Sequence, residues 1–295
     1  MTEKPRILFI VEGEKLEPEI IERMAVLYHM QCEVASVCTN IHALYCDLKK
    51  DNGFLDVIAV MKELLERKIR NLNSEIPDRD KRKQILSAQE DLEKLNHKFA
   101  YRYLVFDSEL QHGRRGTAIS RQEQLKKNYG ELADMLDFFN DETDQGKLFI
   151  NYPMMESYRD CDAFFDEKYK DRTVSLDTLF AGKYKNQVGK RILSNVRTEK
   201  ITRPDFDLLI RMNVFKLNWI ESRNWNGMSY ENFRDYSRQE KILKAEQGFS
   251  ATENALAVLN TLLFFPLDYF GWNLYNEIIP SGFTRDPAMA AGGKS

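Results

Sequence analysis

Four acidic side chains follow short apolar runs in this chain: Glu12 after ILFIV (7–11), Asp107 and Glu109 after YLVF (103–106), and Glu156 a few residues beyond LFI (148–150). Carboxylates brought together repel one another and raise each other's pKa unless a cation compensates them, so such a set predicts a bound metal. Their oxygen donors are hard, which favours Mg2+ or Mn2+ over zinc. In Asp107-Ser108-Glu109 alternate residues share a side if the chain stays extended, which would turn both carboxylates to one ion and Ser108 away from it.

The runs that carry these acids are continuously apolar rather than alternating, the pattern of strands covered on both faces. A fourth candidate strand, VASVC (34–38), follows the helical stretch PEIIERMAVLYHM, whose Pro18 suits a first helical turn. Strand, helix, strand opens a parallel α/β unit, and the helix RQEQLKKNYGELADMLDFFN leading into LFI makes a second such crossover. Open parallel sheets place their active sites at the carboxyl ends of the strands, where all four acids fall.

Residues 56–98 interrupt this unit with two helical segments. Leu64, Leu65, Ile69 and Leu72 in one, and Ile85, Leu92 and Leu95 in the other, recur at helical spacing, and the break at Ile76-Pro77-Asp78 predicts an antiparallel hairpin. Such arms hold partners or brace a neighbouring domain, and DRDKRK (78–83) is read as its solvated tip. Beyond Glu156 helical patterns dominate: LDTLFAGKYKNQVGKRILSNV, FDLLIRMNVFKLNWIES, YENFRDYSRQEKILKAEQ and a final aromatic-rich stretch. The expected architecture is therefore α/β, a parallel sheet flanked by helices over residues 1–160 with the hairpin inserted, followed by a helical region over 161–295.

Composition narrows the function classes. Of 295 residues 43% are hydrophobic, enough for one large core or two modest ones. A net charge of −3 arises from 43 basic and 46 acidic residues, so any nucleic-acid affinity must come from local patches. Four cysteines without a CxxC pair and four scattered histidines suggest neither a zinc site nor a disulfide framework, and a reducing, cytoplasmic compartment fits them. The apolar run at the amino terminus is too short for a signal peptide or a membrane span. LLFFPLDYFGW (262–272), broken by Pro266 and Asp268, reads as buried helices.

Two basic clusters could meet phosphate. Arg114 and Arg115 lie between Gly113 and Gly116 just past the acidic pair, as a phosphate clamp or a mobile surface turn. Lys183, Lys185 and Lys190 surround Tyr184 in GKYKNQVGKR, a mixture suited to backbone contact with base stacking, or simply a solvated face. Glu156, in turn, is either a metal ligand or an acid in the first turn of a helix.

ILFIVEGEK and YLVFDSE resemble the two motifs of the Toprim domain, in which a glutamate ends the first strand and a DxD pair ends a later one. The resemblance implies that Glu12 is a metal ligand or general acid/base, that Gly13 permits the tight turn beside it, and that Asp107 and Glu109 hold Mg2+. This chain has DxE in place of DxD, which leaves one-metal and two-metal chemistry both open. VEGEKLEPE and NYPMMES are further similar to motifs of the OLD-related and RloB-like nucleases of bacterial anti-phage defence, with Leu16 where Thr is common. That likeness implies a toxic nuclease acting on RNA such as tRNA, and an ABC-type ATPase partner as in PARIS-like systems. A homodimer is a further option, and no membrane is involved. The alternatives carried beside it are a Toprim DNA endonuclease, a nucleotidyl transferase or primase, and a regulatory or scaffolding subunit with a vestigial site.

Overall fold

The computed structural model describes residues 5–37, 39–50, 56–74, 78–112 and 120–280. The chain divides into two compact units: residues 1–155 with 196–201, and residues 156–195 with 202–295. The architecture is α/β, with a mostly parallel sheet in the first unit and a largely helical second unit. No helix among the described residues is long and apolar enough to cross a membrane.

The sheet of the first unit is built from β1 (Ile7–Val11), β2 (Cys32–Ser36), β3 (Tyr101–Asp107), β4 (Asn140–Asp141) and β5 (Gly146–Asn151), in the order β2-β1-β3-β5-β4. All pairs are parallel except the short β4–β5 edge. Every side chain of β1 is buried, as is β3 from Tyr103 to Phe106, in keeping with continuous apolar runs covered on both faces. The β4–β5 turn needs glycine at 146, where φ is +107° and a Cβ would meet Leu104 Cδ1 at 2.4 Å.

From β1 the chain crosses through α1 (Leu16–Tyr28) to β2 on one side, whereas from β3 it crosses through α5 (Arg121–Phe138) toward β5 on the other. The direction of travel therefore reverses between the adjacent strands β1 and β3. In open α/β sheets the crevice at the carboxyl ends of two such strands is where ligands bind.

The inserted helices have a use that their periodicity does not disclose. Between β2 and β3 come α2 (Ile41–Lys50), α3 (Val57–Leu72) and α4 (Arg79–Lys94). Helices α3 and α4 pack together antiparallel, with Lys62 Nζ, early in α3, donating to Asn96 Oδ1 just past α4 at 2.9 Å. Their junction at 75–77 lies outside the described residues. Rather than projecting as a bare arm, α4 packs on β2, the edge strand. The buried Asp91 accepts from the Ser36 backbone N–H at 3.1 Å, and Lys94 Nζ bridges Asp91 Oδ1 at 2.8 Å and the Val34 carbonyl at 2.9 Å. Two side chains thus occupy main-chain groups through which an open sheet edge would recruit another strand.

Asp91→Ala leaves a buried N–H without its acceptor, which costs about 1–3 kcal/mol. The expected result is that loss in urea unfolding together with increased light scattering on mild heating. Unchanged stability and scattering would refute the edge-cover role.

The second unit is organised around α8 (Arg203–Ser222), which starts from a Thr202–Asp205 capping box with Pro204 in its first turn. Residues 212–218 are buried consecutively, so this helix is surrounded rather than amphipathic. Against it pack α9 (Tyr230–Tyr236), α10 (Gln239–Glu253) and α12 (Trp272–Ile278), and the unit also holds α6 (Leu176–Phe180), α7 (Tyr184–Val188) and α11 (Phe265–Phe270). A two-stranded pair of β6 (Thr173–Ser175) with β7 (Ala255–Ala257), absent from the sequence reading, completes the unit. The apolar stretch 262–272 forms a 3-10 turn and α11, with Phe264 and Phe265 buried and Phe270 and Trp272 exposed. The helix expected over 176–196 breaks into α6, α7 and a 3-10 turn, because Gly182 takes φ +64° between the two helices.

Candidate metal centre

Glu12 is the first residue past β1, and its backbone is fixed where the three strands end. Ser36 Oγ, closing β2, donates to the Glu12 carbonyl at 3.1 Å, and the Val37 N–H donates to the Val11 carbonyl at 2.9 Å. Gly13 does not use the left-handed conformation reserved for glycine. What a Cβ there would meet is the Glu17 carboxylate, at 2.5 Å, the movable end of a flexible side chain. The turn expectation for Gly13 is corrected accordingly: the position is open to alanine if Glu17 swings aside.

Asp107 ends β3, one position past the register partner of Glu12. Its Oδ1 accepts from the Met155 backbone N–H at 2.7 Å, which fixes the carboxylate plane. Ser108 turns inward. It is fully buried, with its N–H directed at the carbonyls of Asn151 (3.1 Å) and Pro153 (3.2 Å) and its Oγ donating to Pro153 O at 2.9 Å.

The chain does not stay extended into Glu109. That residue has φ +47°, in the left-handed region that costs a non-glycine residue about 1–2 kcal/mol. The two carboxylates therefore converge through a turn, closed by the His112 N–H donating to the Glu109 carbonyl at 2.7 Å, and not through strand alternation.

One carboxylate oxygen from each of Glu12, Asp107 and Glu109 lies within 4.8 Å of the others, with all three residues half-buried. Adjacent strands are themselves about 4.8 Å apart, so two strand ends and one turn suffice to assemble the set. The donors are all carboxylates, a composition that fits a hard divalent cation of the Mg2+ or Mn2+ kind.

The fourth expected carboxylate, Glu156, belongs to the second unit, where its Oε1 meets Lys185 Nζ at 2.9 Å. Lys183, Lys185 and Lys190 are exposed on and beside α7. Tyr184, which the sequence offered as a stacking platform, is buried, and its hydroxyl donates to Asp160 Oδ2 at 3.1 Å, so it cannot stack on a base. Arg191 shares that anchor, donating from Nε to Asp160 Oδ1 at 2.8 Å. Arg114 and Arg115 lie outside the described residues.

Two neighbours of the acidic set were invisible in the sequence. The rings of His42 and His112, seventy positions apart, stack with centroids 5.2 Å apart, and His112 Nδ1 stands 3.9 Å from Glu109 Oε2. Burial lowers the His42 pKa, against the opposing pull of Glu131 at 3.2 Å. The other neighbour is Asn128 of α5, whose amide reaches the turn that carries Glu109.

Fold and site together define an α/β protein with a three-carboxylate centre at the topological switch of a parallel sheet. Comparison with protein-family models, with curated proteins and with solved structures returned no match to this chain.

Proposed function

We propose that the chain is a Mg2+- or Mn2+-dependent nuclease of the Toprim type, cleaving RNA phosphodiesters, with tRNA as its first substrate. In this reading it is a toxic effector of bacterial anti-phage defence held by an ABC-type ATPase. The observation that carries the proposal is the meeting of Glu12, Asp107 and Glu109 within 4.8 Å at the switch between β1 and β3. The Toprim resemblance of the two motifs supports it, since those motifs supply the same three residues.

A divalent cation held there would stabilise negative charge developing on the scissile phosphate. Asp107, fixed by the Met155 N–H, and Glu109, fixed by its turn, would be the anchoring ligands. Glu12, on the neighbouring strand end, would hold the cation or take the proton of the attacking water. Exposed Lys183, Lys185 and Lys190, on the second unit, are separate candidates for phosphate contact.

RNA is favoured over DNA because a chain of net charge −3 suits a compact substrate gripped at a few phosphates, whereas tracking along duplex DNA wants a broad basic face. The role of α4 as an edge cover for β2 accounts for the inserted hairpin without a scaffolding function.

The test incubates the purified chain with Mg2+, total tRNA and plasmid DNA, with chelator and Glu12→Gln as controls. Cleavage of tRNA that disappears in both controls is the expected result. Plasmid cutting with tRNA intact would overturn the substrate, and full activity in chelator would overturn the metal.

A further inference from the structure

We propose that Asn128 is a positioning residue for the acidic centre, holding the turn that aims the Glu109 carboxylate, with Gln124 fixing its orientation. This rests on the reading of Glu109 as a metal ligand.

Asparagine is a poor residue for the middle of a helix, and Asn128 sits inside α5 with 1% of its surface exposed. A buried amide is destabilising unless its hydrogen bonds are made. Here they are made to one target. Both hydrogens of Nδ2 go to backbone carbonyls of the turn, Leu110 O at 2.8 Å and His112 O at 2.7 Å. The amide oxygen accepts from Gln124 Nε2, one helical turn earlier, at 2.7 Å, so the network assigns which end of the amide faces the turn.

The turn has need of such a clamp. Glu109 takes a left-handed backbone that its side chain does not favour, and the segment bends away from the sheet immediately after Asp107. Upstream it is pinned by Ser108 on Asn151 and Pro153. Downstream the fully buried Leu110 gives it an apolar foot, and Asn128 holds the carbonyls on either side of Gln111. Releasing the amide would free Glu109 to relax out of the left-handed region, and its carboxylate would leave the set within which all three acids lie inside 4.8 Å. Groups that orient ligands in this way typically change metal affinity by about 10- to 100-fold when removed.

The experiment compares the full chain, Asn128→Ala and Gln124→Leu by two readouts. The first is amide hydrogen exchange in chelator. The inference expects exchange in 108–112 to accelerate at least about 10-fold in Asn128→Ala while residues 7–11 of β1 stay protected, with a smaller acceleration in Gln124→Leu. The second is Mn2+ affinity, which should fall about 10-fold or more in Asn128→Ala. A merely structural asparagine would lower thermal stability and protection everywhere and leave the Mn2+ affinity of the folded chain at the wild-type value, and that result overturns the inference. If Asn128→Ala does not fold, Gln124→Leu is judged on the same readouts. Failure of the metal reading looks different: the wild-type chain itself binds no Mn2+, and local exchange at 108–112 still decides whether Asn128 clamps the turn.

Discussion

Replacing Glu12 by Gln, or Asp107 by Asn, will reduce metal-dependent cleavage by about 10²- to 10³-fold or more and will reverse the order of thermal stability between chelator and Mg2+. On the proposed reading, the first effect follows from removing one anionic donor from a three-carboxylate set whose charge would hold the cation at the reacting phosphate. The second follows from the same crowding seen without its cation. Two unit charges 4.8 Å apart repel by about 1 kcal/mol in water and about 3 kcal/mol at an effective dielectric of 20. Neutralising one acid therefore stabilises the metal-free chain. For a chain of this size each kcal/mol is worth about 2–4 °C. In chelator the variants should melt above the wild type, and in millimolar Mg2+ below it or level with it, because only the wild type gains binding energy. Asp107→Asn is the cleaner arm, since an amide oxygen can still accept from the Met155 N–H. Calorimetry in the two buffers reads the crossing. Variants that melt below wild type in chelator, with cleavage intact, would contradict both halves.

Lys216→Ala will destabilise the second unit by about 3–5 kcal/mol, the usual cost of breaking a buried ionic arrangement from one side. Lys216 lies on the central helix α8 with no exposed surface. Its ammonium donates to three main-chain carbonyls, Tyr169 at 3.3 Å, Lys170 at 2.7 Å and Arg172 at 2.9 Å, which end the 3-10 turn Glu167–Asp171. Glu246, fully buried on α10, accepts from the Ala257 N–H at 3.1 Å and supplies the largest compensating charge. Burial lowers the pKa of the lysine and raises that of the glutamate, so each resists ionisation, and the carbonyls and the partner charge oppose that tendency. Alanine would strand three carbonyls, leave Glu246 without its counter-charge and open a cavity. Lys216→Met keeps most of the volume and should lose less. All three tryptophans, Trp219, Trp225 and Trp272, lie in this unit, so urea unfolding followed by their fluorescence reads the effect there. A loss below about 1 kcal/mol would mean that the lysine is not what holds that turn.

The strands that frame the centre were legible because they are continuous apolar runs, and the acids were legible because they stand at the ends of those runs. What could not be read depends on partners far apart in sequence. Asp91 reads as an ordinary helix residue until Ser36, fifty-five positions away, is seen to need it. The same is true of Asn128 and the carbonyls of Leu110 and His112, and of the stacked pair His42 and His112. The backbone at Glu109 was misjudged for a local reason: an extended DSE segment gives the same convergence on paper, and only the left-handed φ reveals the turn. Tyr184 was misjudged because a tyrosine among lysines looks solvent-facing, whereas Asp160 draws its hydroxyl inside.

The central claim is that Glu12, Asp107 and Glu109 form one divalent-cation site, and Mn2+ titration of the full chain, read by paramagnetic resonance, tests it most directly. The wild type should bind Mn2+ in competition with Mg2+, and Glu12→Gln, Asp107→Asn and Glu109→Gln should each weaken that binding by about 10-fold or more. A wild-type chain that binds no Mn2+, or three variants that bind it as the wild type does, would contradict the account.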